Sequence, residues 1–146
     1  MSTMILFMGI QASGKTSFYK EYLQGYTHIS LDVLNTRNKE RLAIEECIAT
    51  GRDFVVDNTN PTKEDRQRYF DMIKGTGYRV RGYFFRSVIK ESVERNELRT
   101  GKACVPRCAI AATSNKLEMP TWEEGFAELY YVSIQDGAFV VEKWRE

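Results

Sequence analysis

The eight residues from Gly9 to Thr16, GIQASGKT, combine residue types that suit the binding of phosphate groups. They match the pattern G-x-x-x-x-G-K-[ST] at every specified position, between an apolar run and a segment with helical periodicity. Gly9 and Gly14 allow a tight turn in which backbone N–H groups point at phosphate oxygens, next to the positive end of a helix. A turn that binds nothing would need neither Lys15 nor Thr16 at its end. The stretch therefore indicates a nucleoside triphosphate site.

Two side chains of this loop have specific expected roles. Lys15 can reach the β- and γ-phosphates as a point charge, and the Thr16 hydroxyl can bind Mg²⁺, which prefers hard oxygen ligands. ATP and Mg²⁺ are therefore the expected cofactors. The predicted nucleotide-binding residues are Gly9, Gln11, Ala12, Ser13, Gly14, Lys15, Thr16 and Ser17.

Alternating strand and helix patterns position this loop. Strands are predicted at residues 3–8, 28–31, 53–57, 78–85 and 127–134, and helices at 15–23, 41–50, 61–74 and 87–98, with a last apolar segment at 138–141. Such alternation is typical of a parallel sheet covered on both sides. We predict a three-layer α/β fold with a mostly parallel five-stranded sheet and helices on both faces. Ligands of such folds bind at the carboxyl ends of the strands.

Two acidic residues lie at predicted strand ends, on the same rim as the phosphate loop. The second strand ends in Asp32, in HISLD, and the third ends in Asp57, in FVVDNTN. An acid in this position could simply cap the following helix. Phosphoryl transfer to a hydroxyl, however, needs one group that takes the proton and another that supports the magnesium. We assign Asp32 as the base and Asp57 as support for the metal or the nucleophile, so that the predicted metal site comprises Thr16, Asp32 and Asp57.

Basic residues form local groups in an otherwise balanced chain. The net charge of +1 does not indicate a nucleic-acid binder by overall basicity, so such a function would have to rest on local patches. The candidates are Arg66, Arg68, Arg79, Arg81, Arg95, Arg99, Lys102 and Arg107, each of which could instead belong to a solvated face. Arg95 and Arg99 are four residues apart on a predicted helix, so both can face one ligand.

Length and composition limit what else the chain can contain. Its 146 residues correspond to one domain, 1–146, and 42% apolar with 28% charged residues is typical of a globular protein. No stretch of eighteen apolar residues and no signal-like start is present, so we expect a cytoplasmic protein without a membrane partner. Cys47, Cys104 and Cys108 suit reduced thiols, and a zinc site is disfavoured because His28 is the only histidine. Nothing indicates an obligate protein partner.

Several longer motifs resemble a known family. VVDNTNPTKEDRQRY, followed in order by GYRVRGYFF, RNELR, VP and PTWEEGF, resembles the kinase domain of the polynucleotide 5′-hydroxyl kinases of phages and animals. The resemblance runs from Met4 to about Val132, and it implies ATP-dependent phosphorylation of the 5′-hydroxyl of DNA or RNA ends. It also implies the P-loop kinase fold, with a small helical lid at about 95–116 over the triphosphate, to which Arg95 and Arg99 belong. In that family the residues matching Asp32 and Asp57 activate the hydroxyl and lie beside the acceptor, respectively.

Two departures from that family concern the acceptor. The phage enzyme has a basic residue three positions after the catalytic aspartate to grip the acceptor phosphate, where this chain has Asn35, and the nearest basic candidate is Arg37. The predicted substrate-binding residues are Asp32, Asn35, Arg37, Asp57, Asn58, Thr59, Arg66 and Arg68. Family members usually also carry a phosphatase domain, for which this chain is too short, so the pairing of kinase with phosphatase does not carry over to this chain. A phosphatase or ligase partner is compatible with the sequence but is not indicated by it.

Two other functions use the same phosphate loop. A kinase for a small metabolite or nucleoside would differ only in its acceptor site. An ATP-binding module that switches a partner would transfer no phosphate, although it would need neither Asp32 nor the paired arginines. A basic groove leading to Asp32 would favour a polynucleotide, and a closed pocket would favour a metabolite.

Overall fold

The computed structural model describes residues 2–101 and 104–145. The strands are β1 (Thr3–Met8), β2 (Thr27–Ile29), β3 (Phe54–Val56), β4 (Arg79–Phe85), β5 (Glu128–Gln135) and β6 (Ala138–Lys143). The helices are α1 (Lys15–Tyr22), α2 (Leu31–Leu34), α3 (Arg37–Thr50), α4 (Lys63–Ile73), α5 (Ile89–Glu97) and α6 (Arg107–Lys116), followed by a short 3-10 helix (Trp122–Glu124).

The strands form one sheet in the order β2-β3-β1-β4-β5-β6, in which the first five are mutually parallel. The central strand β1 is buried on both faces, as its continuous apolar run predicts. On one face Leu6 packs in a cluster with Ile44 of α3 and Tyr69 of α4, and on the other Phe7 packs with Phe18 of α1. The predicted three-layer α/β fold is therefore confirmed, because helices cover both faces of the sheet.

The number of strands differs from the prediction, since the sheet has six strands and not five. The last apolar segment forms β6, which pairs antiparallel with β5 from Tyr130–Lys143 to Gln135–Ala138. The two strands are joined through Asp136 and Gly137, which both have positive φ angles, of 52° and 76°. Asp-Gly with two positive φ angles is the sequence and the geometry of a tight hairpin turn.

The segment after β2 also differs from the prediction. The strand ends at Ile29, and one helical turn, α2, follows it immediately. Ser30 caps this turn, because its hydroxyl accepts a hydrogen bond from the Asp32 amide at 3.3 Å. Asp32 therefore lies in the first turn of a helix and not at the end of a strand. The carboxylate still lies beyond the carboxyl end of β2, on the rim that the pattern predicted.

Helices α5 and α6 occupy most of the region predicted as a lid. Asn96, which is buried, joins them by two hydrogen bonds to the backbone of Val105, one from its amide nitrogen at 2.6 Å and one to its oxygen at 2.9 Å. Helix α5 ends at Glu97, so Arg99 follows the helix and does not share a helix face with Arg95. Lys102 lies outside the described residues. None of the helices in 2–101 and 104–145 is long and apolar enough to span a bilayer.

Candidate active site

A cleft of about 590 Å³ opens at the carboxyl ends of β1, β2 and β3. Its walls come from the phosphate loop after β1, from the start of α2, from the residues after β3 and from the segment after α5. The predicted site residues that line it are Gln11, Ala12, Lys15, Thr16, Asp32, Asp57, Asn58, Thr59 and Arg99. The structure thus brings together residues from four separate stretches of the chain, as the rule for open α/β sheets predicts.

The loop before α1 has the backbone geometry that its glycines predict. Gly14 caps the helix in the left-handed region with φ 101°, and Gly9 has φ 152°. A Cβ atom on Gly9 would lie 3.1 Å from the Cβ of Phe85, and one on Gly14 would lie 3.1 Å from atoms of Ile134 and Phe139. Larger residues would therefore disturb the loop at both positions. Ser13 is buried within the loop, whereas Ser17 is exposed on α1 and is not among the described lining residues.

Lys15 curls over the loop that precedes it. Its ammonium donates hydrogen bonds to the carbonyls of Gly9 at 3.1 Å and Ile10 at 2.8 Å, and to the hydroxyl of Ser13 at 3.4 Å. The residue is only 8% exposed. Burial lowers the pKa of Lys15 from 10.5 to about 8, and the negative charge of Asp57 opposes this change. The loop therefore holds a largely desolvated cation against its own carbonyls.

Thr16 and His28 meet at one oxygen of Asp57. The Thr16 hydroxyl donates to Oδ2 of Asp57 at 2.8 Å, and Nε2 of His28 lies 2.7 Å from the same oxygen. The His28 ring is also stacked on Tyr19, with ring centroids 4.3 Å apart. His28 is not among the site residues that the sequence predicts. The relevant signal is that β2 and β3 are parallel neighbours, which places the end of β2 beside the residue that follows β3.

The oxygen donors of this group fit a magnesium ion. A hydroxyl and a carboxylate are hard ligands, and Thr16 and Asp57 are already within hydrogen-bond distance of each other. Within residues 2–101 and 104–145, no cluster of three or more His, Cys, Asp or Glu could hold a metal by itself. This donor set suits Mg²⁺, which usually keeps several waters and binds substrate phosphates, better than it suits a closed metal site.

The two lid arginines approach the loop from the side of α5. Arg95 donates from Nη1 to the carbonyl of Ala12 at 3.4 Å and forms an ion pair with Glu91 at 3.7 Å. Arg99 lines the cleft, and its charge contributes to the lowered pKa of Lys15. Gln11 connects the loop to the other lid helix by donating to the Thr113 hydroxyl of α6 at 2.9 Å. Arg95 therefore contacts the phosphate loop without being among the described lining residues, whereas Arg99 lines the cleft itself.

The prediction that Arg66 binds the acceptor is wrong, because its side chain is fully buried. Its guanidinium pairs with Glu124 through two hydrogen bonds, of 2.7 and 3.1 Å. The third nitrogen, Nη1, donates to the carbonyls of Asn60 and Glu118. Arg66 is therefore a structural residue of the α4 interface and cannot contact a polynucleotide without unfolding that region.

Three further predicted acceptor residues, Asn35, Arg37 and Arg68, are exposed but do not line the described cleft. Asn35 follows the end of α2 with φ 70°, and Arg68 lies on α4. Arg37 is half exposed, and its Nη1 donates to Glu40 and to the Tyr69 hydroxyl. The acceptor side of the cleft thus has less positive charge than the sequence predicted.

Comparisons with known proteins were made for the sequence and for the fold. No protein-family profile matches the chain. A bifunctional polynucleotide phosphatase/kinase of Schizosaccharomyces pombe is 28% identical over 130 residues, which are 86% of this chain and 32% of that protein. A relative from Acanthamoeba polyphaga mimivirus is also 28% identical, over 97% of this chain and 36% of its own length. The chain therefore spans about a third of the length of these curated relatives.

Solved structures provide the fold comparison. A gluconokinase from Sinorhizobium meliloti 1021 superposes with a TM-score of 0.63 at 22% identity, covering 87% of this chain and 82% of that one. Kti12 of Chaetomium thermophilum in complex with ADP-AlF3 superposes with a TM-score of 0.71 at 16% identity, covering 91% and 90%. At these identities the likeness establishes the fold alone. The predicted resemblance is confirmed: the chain is similar in sequence to bifunctional polynucleotide phosphatase/kinases and has the α/β fold of P-loop kinases.

Proposed function

We propose that this chain transfers the γ-phosphate of ATP to the 5′-hydroxyl of a polynucleotide, DNA or RNA. The observation that carries the proposal is that Lys15 of the phosphate loop and the Asp32 carboxylate line the same cleft. A site of this kind can hold a triphosphate at one end and a nucleophile at the other. The similarity to proteins named polynucleotide phosphatase/kinase supports a polynucleotide as the acceptor.

The phosphate loop would bind the triphosphate. Backbone amides between Gly9 and Thr16, with the positive end of α1, would face the phosphate oxygens, and the Lys15 ammonium would meet the β- and γ-phosphates. Thr16 and Asp57 would hold Mg²⁺ together with Asp32, and the ion would neutralise charge on the phosphates. The hydrogen bond from Thr16 to Asp57, and the contact of His28 with the same Asp57 oxygen, would hold these donors at that position.

Asp32 would act on the acceptor. Its carboxylate is exposed to the cleft from the first turn of α2, where a substrate hydroxyl can reach it. The hydroxyl oxygen would form a bond to the γ-phosphorus while the bond from that phosphorus to the bridging oxygen of ADP breaks. The hydroxyl proton would pass to Asp32, and ADP would leave. Arg95 and Arg99 would stabilise negative charge on the transferred group.

The cysteines bear on the location of the protein. The three cysteines are unpaired in the described structure, which suits a reducing compartment such as the cytoplasm. Because the relatives are about three times longer, a phosphatase acting on the same ends would be a separate protein or a further region.

A second candidate is a kinase of a small metabolite or nucleoside. One observation favours it: among the described residues that line the cleft, the lysine and arginine side chains are Lys15 and Arg99, both beside the phosphate loop. Besides Asp32, the acceptor side is formed by uncharged residues such as Val33, Asn58 and Thr59. A small acceptor would need no charged groove for a nucleic-acid backbone.

The test is an acceptor series with ATP labelled at the γ-phosphate. The series contains 5′-hydroxyl oligonucleotides of DNA and RNA, shortened step by step to a nucleoside 3′-phosphate and a nucleoside, together with simple sugars. We expect labelled oligonucleotides and a KM that falls with length, with Lys15→Ala and Asp32→Asn as inactive controls. Labelling of nucleosides or sugars but of no oligonucleotide would replace the proposal with the small-molecule kinase. Binding of ATP without any labelled acceptor would favour a switch module.

A further inference from the structure

Asn58, the residue after Asp57, is engaged on both sides by the protein itself. Its Oδ1 accepts a hydrogen bond from the Leu31 amide at 3.0 Å, and its Nδ2 donates to Oε2 of Glu40 at 2.7 Å and to the Tyr69 hydroxyl at 3.1 Å. This orientation of the amide is required, because a backbone N–H can only donate and a carboxylate can only accept. Asn58 is therefore a structural link and has little capacity left for a substrate.

The partners of Asn58 form a buried polar group between α3 and α4. Glu40 is 2% exposed and Tyr69 is fully buried. The Tyr69 hydroxyl donates to Oε2 of Glu40 at 3.0 Å, and Arg37 donates to Glu40 at 3.0 Å and to that hydroxyl at 2.9 Å. Burial and the charge of Glu40 raise the pKa of Tyr69, so the hydroxyl keeps its proton. We call Asn58, Glu40, Tyr69 and Arg37 the Asn58 network.

A buried carboxylate lowers the free energy of unfolding unless all its oxygens are paired. Apolar residues in its place would often give the protein equal or higher stability. The Asn58 network pairs both oxygens of Glu40 and extends directly to the start of α2. Its geometry therefore has an effect beyond packing, which is to set the position of the Leu31 amide.

Helix α2 needs such an anchor. It is a single turn of four residues, and none of them is fully buried. One turn does not form stably by itself, and its first amides have no partner within the helix. Asn58 satisfies the Leu31 amide and Ser30 satisfies the Asp32 amide, while Leu34 packs partly against the core.

Consecutive residues after β3 thus serve opposite ends of the cleft. Asp57 holds Thr16 on the phosphate side, and Asn58 holds the start of α2 on the acceptor side. We infer that Asn58, Glu40 and Tyr69 are positioning residues that fix α2, and with it the Asp32 carboxylate, relative to the phosphate loop. The inference rests on the proposed function for its catalytic consequence, although the anchoring of α2 can be measured without any substrate.

The experiment compares Tyr69→Phe with Tyr78→Phe. Each variant loses one hydroxyl and two or more hydrogen bonds. Tyr78, however, lies just before β4, at the opposite end of the strands, where its hydroxyl bonds to the carbonyls of Cys47 and Arg52. For Tyr69→Phe we expect kcat to fall by about 5- to 100-fold with the KM for ATP unchanged, since small displacements of a reacting group cost that much. Tyr78→Phe should keep kcat within about twofold of the parent.

The second readout is hydrogen exchange of the Leu31 amide, followed by NMR. Exchange should become at least about tenfold faster in Tyr69→Phe and stay unchanged in Tyr78→Phe. Equal losses of kcat in the two variants would indicate general destabilisation and overturn the inference, as would faster Leu31 exchange with an unchanged kcat. If the parent phosphorylates no acceptor, the proposed function fails, and Leu31 exchange alone decides whether the network anchors α2.

Discussion

Arg66→Ala is expected to reduce the stability of the protein and to leave the salt dependence of the KM for an oligonucleotide acceptor unchanged. The side chain is fully buried, and its guanidinium uses all three nitrogens in hydrogen bonds to Glu124 and to two backbone carbonyls. Alanine would remove the cation but leave the Glu124 carboxylate, which is 8% exposed, without its partner. The free energy of unfolding should fall because a buried charge is then uncompensated.

The size of the effect follows from the burial of the pair. Removing one member of a buried ion pair typically costs about 3 to 5 kcal/mol. For a domain of this length each kcal/mol lowers the melting temperature by about 2 to 4 °C, so the expected decrease is roughly 6 to 20 °C. A loss of this size is a large part of the stability of a typical domain, which is about 5 to 15 kcal/mol.

Arg68→Ala is the matched control, because it removes the same charge from the same helix at an exposed position. Urea denaturation should give an unfolding free energy for this variant within about 0.5 kcal/mol of the parent. The KM for a short 5′-hydroxyl oligonucleotide is then measured across a salt series, at a temperature where all three proteins are folded. The slope should be the same for Arg66→Ala and the parent.

The opposite pattern would refute this reasoning. If Arg66→Ala melted within about 2 °C of the parent and reduced the salt dependence of KM by about one unit in the log–log slope, Arg66 would contact a phosphate of the acceptor. The buried ion pair with Glu124 would then not exist in solution.

Lys15→Ala should abolish phosphoryl transfer in a folded protein, as circular dichroism and the labelling assay together would establish; retention of near-normal transfer would contradict the role of the phosphate loop. In the parent, ATP affinity should fall above about pH 8, by up to about tenfold per pH unit, because Lys15 has a pKa of about 8 and must be protonated to bind the phosphates. Calorimetry at pH 7, 8 and 9 would check this, and the same ATP affinity at all three pH values would contradict it. Asp32→Asn should lower kcat by about 10²- to 10⁴-fold with ATP affinity retained, whereas turnover within a fewfold of the parent would leave Asp32 as a helix residue only. His28→Ala should raise the Mg²⁺ concentration for half-maximal activity by about tenfold, since Asp57 loses one of its orienting partners; an unchanged Mg²⁺ titration would remove His28 from the site.

The parts of the fold that the sequence predicted are those determined by neighbouring residues. The phosphate loop is specified by glycines and by Lys15 within a few positions, and β1 by an unbroken apolar run. The rim position of Asp32 and Asp57 followed from the ends of strands, which local patterns locate to within about three residues. The polynucleotide kinase resemblance came from longer motifs that carry information on fold as well as chemistry.

The parts that escaped prediction depend on residues far apart in the chain. Arg66 looks like an exposed residue of a charged helix, and only Glu124, 58 positions away, makes its burial favourable. His28 joins the site because β2 and β3 are neighbours, an order that no local pattern specifies. The pattern predicts a strand that runs into the first residues of α2, because Leu31–Leu34 is too short to produce a helical period.

The hairpin of β5 and β6 has a consequence for where this domain can be cut. A chain shortened to Gln135 would retain every residue predicted to touch nucleotide, metal or acceptor. It would lose Phe139, whose ring lies 3.1 Å from the position that a Cβ of Gly14 would take. The same ring packs edge-on against Phe18 of α1, with ring centroids 5.2 Å apart. The start of α1, which presents its amides to the phosphates, would then lack its outer wall, and β5 would become an unpaired edge. A fragment designed from the catalytic motifs alone would therefore bind nucleotide poorly and tend to aggregate, whereas one that extends through Lys143 would keep the wall of the phosphate site.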